Sequence, residues 1–127
     1  MKTMSRAQAA ELGRMLVENA TSDRGRVAAQ ALAEEETILA HGGVRAALVV
    51  KQDGRMRADW DRLMGRVYTL SFDDEQRAFV GLVLSMLGIG SVPLSAVENL
   101  DERRLLIMQR AIVRLAGNDR IAVGTRM

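Results

Sequence analysis

Residues 78–97, AFVGLVLSMLGIGSVPLSAV, carry no charged side chain, with Arg77 at one end and Glu98 at the other. Twenty uncharged residues are enough, by length alone, for one bilayer crossing. The stretch is therefore either a membrane span or the centre of a soluble core. It reaches that length only by including Gly81, Gly88, Gly90, Pro93 and three serines. Gly88 and Gly90 followed by Pro93 read as a helix stop and a turn. The continuous apolar helix is then 78–87, and at about 1.5 Å per residue it covers only about half of a hydrocarbon core. Its flanks mix acid and base, without an aromatic belt or a one-sided arginine cluster. A helix apolar nearly all round belongs at the centre of a bundle. Phe79, Leu82, Val83, Met86 and Leu87 would face one set of neighbours, and Val80 and Leu84 another. Gly81 and Ser85 would let a neighbouring helix approach closely.

The rest of the chain reads as helix. One proline among 127 residues, with abundant Ala, Leu, Arg and Glu, favours it. The expected fold is a single all-α domain over 1–127, a compact bundle of five or six helices around a central apolar helix at 72–87. A first helix over 6–20 has Ser5 as N-cap and Ala9, Leu12, Met15 and Leu16 on one face. Thr21, Ser22 and Asp23 break it. A second helix runs to about His41, where Gly42-Gly43 reads as a stop. Within it Glu34, Glu35 and Glu36 form an acidic run, read as a solvated face.

The segment 44–57 is ambiguous. Val44, Ala47 and Leu48 suit a short helix closed by Gly54, which is the reading adopted. Asp53-Gly54 between Leu48-Val49-Val50 and Met56 also matches a two-residue hairpin turn, so a minor β-hairpin near 48–57 is the alternative. Met56, Trp60, Leu63, Met64 and Val67 then make an amphipathic stripe. Ser71 is read as the cap of the central helix, with Asp74 at its third position. The four aromatics, Trp60, Tyr68, Phe72 and Phe79, fall within twenty residues. That window is expected to form the heart of the core, with Trp60 buried against 72–87. Ser95 and Glu98 read as a capping box and Asp101 as the cap of the last helix. Leu105, Met108, Ile112, Leu115 and Ala116 would be that helix's core face.

Chemistry is sparsely signalled. The chain has no cysteine, which excludes thiolate sites and disulfides. His41 is the single histidine. It cannot supply the two Glu-x-x-His pairs of a bundle metal centre, and beside a helix end its reading is structural. In GIGSVP the third glycine of a dinucleotide fingerprint is replaced by Pro93. The expectation is a non-enzymatic chain without cofactor or metal.

Charge is nearly balanced, with 18 basic and 16 acidic residues, too little excess for a strong nucleic-acid field. Arg103, Arg110 and Arg114 nevertheless line one outer face of the last helix and form a candidate interaction surface. The function expected is a regulator, adaptor or inhibitor acting through protein–protein contacts. A DNA-binding regulator using the arginine-bearing helix is the alternative, and a structural subunit of a larger assembly is the third reading. A homodimer is expected, with the modest face Leu12, Met15 and Leu16 held between two copies and rimmed by Arg6, Glu11 and Arg14. MKTMSRAQAAELGR has no apolar run after its lysine and does not read as a secretory signal, so the expected compartment is cytoplasmic, with no membrane association. Recovery of the purified chain without detergent, and no partition into liposomes, is the expected outcome; recovery only in detergent would overturn the buried-helix reading.

Overall fold

Local signals explain most of the helix starts. In the computed structural model, which describes residues 4–90, 92–118 and 120–124, Ser5 caps α1 (Arg6–Glu18) in a complete capping box with Gln8. Ser22 caps α2 (Asp23–Glu35), its hydroxyl accepting from the Gly25 N–H. Asp101 caps α7 (Glu102–Leu115), accepting from the Arg104 N–H at 3.0 Å. Between them lie α3 (Thr37–Ala40), α4 (Gly42–Leu48), a hairpin of β1 (Val49–Gln52) and β2 (Arg55–Ala58), α5 (Trp60–Arg66) and α6 (Asp74–Met86). Two 3-10 segments, Val67–Thr69 and Leu94–Asn99, follow α5 and α6. The expected helical bundle is present, with a small antiparallel hairpin as its only sheet among the described residues. No helix among them is long and apolar enough to cross a membrane.

α6 is the apolar helix of the opening stretch. Phe79, Val80, Val83 and Leu84 are fully buried in it, joined by Ala28, Ala31 and Leu32 of α2 and Ile38, Leu39, Val44 and Leu48 of α3 and α4. Its N-cap is Asp73, paired with Gln76 in a capping box, two residues after the expected Ser71. Asp73 wins because its carboxylate accepts the Gln76 N–H at 2.7 Å while Gln76 reaches back to the Asp73 N–H. Gly81 and Ser85 do face a close neighbour. It is Val92 in the returning chain: a Cβ on Gly81 would lie 2.9 Å from Val92 Cγ1, and Ser85 Oγ accepts from the Val92 N–H.

Several expectations are corrected. The helix favoured up to Gly54 stops at Leu48, and Asp53-Gly54 makes the hairpin turn. Both turn residues have positive φ, 54° and 76°, as a type I′ turn requires, and glycine accepts that geometry at no steric cost. Met56 consequently lies on a strand and not on the Trp60 helix. The second helix breaks at Glu36, whose φ is 73°, so α3 is a separate turn. Gly42-Gly43 does not stop a helix; it opens α4, with His41 Nδ1 accepting the Gly43 N–H at 3.0 Å. The ring nitrogen that accepts here caps a helix start, the opposite of the expected role at a helix end. Ser95 and Glu98 form no capping box, because 94–99 winds as a 3-10 segment without a side-chain cap.

The aromatic window is not one cluster. Phe79 is in the core, whereas Tyr68 is 81% exposed. Trp60 is half-buried, its indole Nε1 beside Gly25 at the start of α2. The four aromatics are spread over α5, the 3-10 segment after it, the loop before α6 and α6 itself, so their spacing gives no common face. Phe79→Ala is expected to cost about 3 to 5 kcal/mol, and Tyr68→Ala less than about 0.5 kcal/mol, in urea unfolding; comparable losses at both sites would mean the core is misplaced.

Candidate interaction surface

The acidic run ending α2 is where sequence and structure differ most. Glu35 is 0% exposed. A carboxylate removed from water must find donors, and a buried charge requires a counter-charge. Oε1 accepts from the Ile38 N–H at 2.8 Å, at the start of α3. Oε2 accepts from Arg104 Nε at 2.9 Å and from the Thr37 hydroxyl, and lies 3.4 Å from Arg103 Nη2. Arg104 is 7% exposed and also reaches Glu75 at 3.1 Å and Asp101 at 3.2 Å. The pair thus ties the end of α2 to the first turns of α6 and α7. Both oxygens of Glu35 accept from protein donors and the side chain is shut off from solvent, which makes it a structural anchor.

The expected arginine surface is built on the same seam. Arg103 Nη1 donates to the Glu34 carbonyl at 3.4 Å. Arg114 meets Glu34 at 2.6 Å and Arg110 at 3.7 Å. Arg110 also donates to the Val123 carbonyl at 3.3 Å. Arg6 binds Glu36 at 2.9 Å. The acidic run is therefore not a solvated face; each of its three carboxylates holds arginine from α1 or α7. Sequence reading placed the two charge runs 69 residues apart and had no signal to pair them.

Pinning Arg104 inward sets the rotation of α7. Arg104, Ile107, Met108 and Ala111 face the core. Of the expected face Leu105, Met108, Ile112, Leu115 and Ala116, Met108 alone is buried. Ile112 is 47% exposed. Leu105, Leu106 and Val113 are half-buried and lie outside the core cluster. Ile112 borders a groove of about 230 Å³ between α6, α7 and the 3-10 segment 94–99, floored by Leu82, Met86 and Met108. Leu94, 72% exposed, forms the opposite wall. Among the described residues no charged side chain lines this groove.

The other expected contact is not open. Leu12 and Leu16 are buried within the one chain and Met15 is half-buried against its core. α1 packs so closely on α2 that a Cβ on Gly13 would stand 2.6 Å from Ala33 Cβ. A second copy cannot reach Leu12 and Leu16 without opening the bundle, so these two are core positions, while Met15 stays half-buried beside them. The rim residues are self-paired too: Arg14 bridges Glu11 and Glu18, and its hydrogen bond holds the Glu11 carboxyl below the ordinary carboxylate range.

A second cavity, about 530 Å³, lies between the hairpin and the α1–α2 turn beside Trp60. Lys51 and Arg57 there face Asp59 and Asp61, so charge selects no ligand class. Among the described residues no cluster of three His, Asp or Glu side chains is placed to hold a metal ion.

Searches against family models, curated proteins and solved structures returned no match for this chain.

Removing one partner of the buried pair strands the other. Glu35→Ala is expected to cost about 3 to 5 kcal/mol. Glu35→Leu with Arg104→Met is expected to lose less than the sum of the two single changes, measured as a double-mutant cycle in urea. Additive losses would show that the two side chains are not coupled.

Proposed function

We propose that this chain is a non-enzymatic helical module, a regulator, adaptor or inhibitor, that works through protein–protein contact at the outer side of α7. The observation that carries this reading is the pairing of exposed Leu94 and Ile112 across an uncharged groove. Apolar side chains left together at a surface and framed by polar positions are a recurring mark of an interaction site. A narrow apolar groove beside a helix suits an apolar helix stripe as its occupant. The arginine flank gives less support to the nucleic-acid alternative, since Arg103, Arg110 and Arg114 already have carboxylate or carbonyl partners that phosphates would have to displace.

Two double variants separate the flanks. Leu94→Asp with Ile112→Asp changes exposed positions and is expected to keep the helical circular dichroism while failing to complement a deletion in the source organism. Arg110→Ala with Arg114→Ala is expected to complement. The reverse pattern would move the function to the arginine flank. Anisotropy titrations with duplex DNA at about 50 and 200 mM salt are expected to show no salt-sensitive binding. A steep fall in affinity between the two salts would identify phosphate contacts and overturn the reading.

A further inference from the structure

Among the described residues, Arg57 Nε is the one buried side-chain nitrogen or oxygen with no hydrogen-bond partner. Arg57 lines the cavity between the hairpin and the α1–α2 turn. Across the hairpin it stands opposite Val50, and Gln52 shares that face of the strand pair. Nη1 therefore donates to Gln52 Oε1, at a long 3.3 Å. A guanidinium carries five N–H donors in a planar fork, and an unpaired buried donor costs free energy that folding normally recovers with an acceptor. The nearest acid in sequence is already engaged: Asp59 Oδ1 accepts the Arg62 N–H at 3.1 Å as the cap of α5.

The remaining walls narrow what could complete the fork. The cavity, about 530 Å³, has room for a small molecule. Leu16, Val50 and Trp60 give it an apolar side. Lys51 and Arg57 oppose Asp59 and Asp61, so a simple anion or a simple cation meets repulsion as well as attraction. A molecule that carries both charges can set each against its opposite.

We propose that this cavity binds an apolar α-amino acid as its zwitterion. The carboxylate takes the Arg57 fork through Nε and a terminal nitrogen. The ammonium lies toward Asp59 and Asp61, and the side chain packs on Leu16, Val50 and Trp60. A carboxylate presents two coplanar oxygens to the fork, which the single Gln52 oxygen cannot do. Because Nε is shut off from water where it stands, the guanidinium must turn from Gln52 toward the cavity to bind. That turn pairs the donor, so the carboxylate favours the turned conformation. The site shares no lining residue with the α7 groove and is independent of the protein-contact reading.

Trp60 is the only tryptophan of the chain, so its fluorescence reports on this cavity. Leucine, methionine and phenylalanine are titrated into the intact chain to about 10 mM, with equilibrium dialysis as a second readout. At least one is expected to bind saturably, with a Kd on the order of 100 µM. Leucinamide, which lacks the carboxylate, isocaproate, which lacks the ammonium, and inorganic phosphate are expected to bind at least about tenfold more weakly. Arg57→Met is expected to weaken amino-acid binding about tenfold or more while its urea midpoint stays level or rises, since it removes an unpaired donor. Asp59→Asn keeps a helix cap and is expected to weaken the amino acid but not isocaproate. No saturable binding in either readout, or equal binding of the single-charge analogues or phosphate, overturns the proposal. Unchanged binding by Arg57→Met overturns it as well.

Discussion

A carboxylate with no access to water decides how this bundle is assembled. Glu35 sits at the last turn of α2, and its two oxygens can be satisfied only by groups that come to it. The Ile38 N–H is supplied by a sharp turn at Glu36, which accepts a positive φ to make it. The charge is supplied by Arg104 from the far end of the chain. A buried pair of this kind adds little net stability compared with apolar packing, yet it tolerates few alternative arrangements. It fixes one rotation of α7 and one angle between α2 and α3.

That rotation has two consequences that belong together. On one flank, Arg103, Arg110 and Arg114 fall against Glu34 and Glu35 and are engaged there. On the other, Leu105 and Ile112 leave the core they would otherwise have entered. A helix turned to bury its apolar stripe fully would have left Arg104 outside and Glu35 without a counter-charge. The apolar residues at the surface are thus the complement of a polar group in the interior. The proposed contact surface rests on that exchange.

Residues close in sequence were legible where the chemistry is local. Ser5 and Asp101 read as caps because each accepts a backbone N–H within a single turn, so the pattern contains its own partner. Asp53-Gly54 contained a hairpin, but the flanking valines also suit a helix, and periodicity over so short a run cannot choose. Trp60 and Phe79 looked like one core because they are near in sequence; they occupy α5 and α6, which face different neighbours. His41 was placed at the right boundary with the wrong polarity, because Gly42-Gly43 can end one helix or begin the next.

The sequence by itself determined that the chain is helical, that 78–87 is an interior helix ended by glycine, and where the last helix starts. Those features depend on composition, spacing and partners three or four residues away. Only the tertiary structure decided which face of α7 points inward, whether Glu34–Glu36 meets water or arginine, and that Leu12 and Leu16 are interior. Each of these is settled by a contact between residues far apart in the chain. Glu35 and Arg104 look like ordinary surface residues on an amphipathic pattern, and a pattern assigns them outward. Their burial follows from their meeting each other, and no local spacing records that meeting.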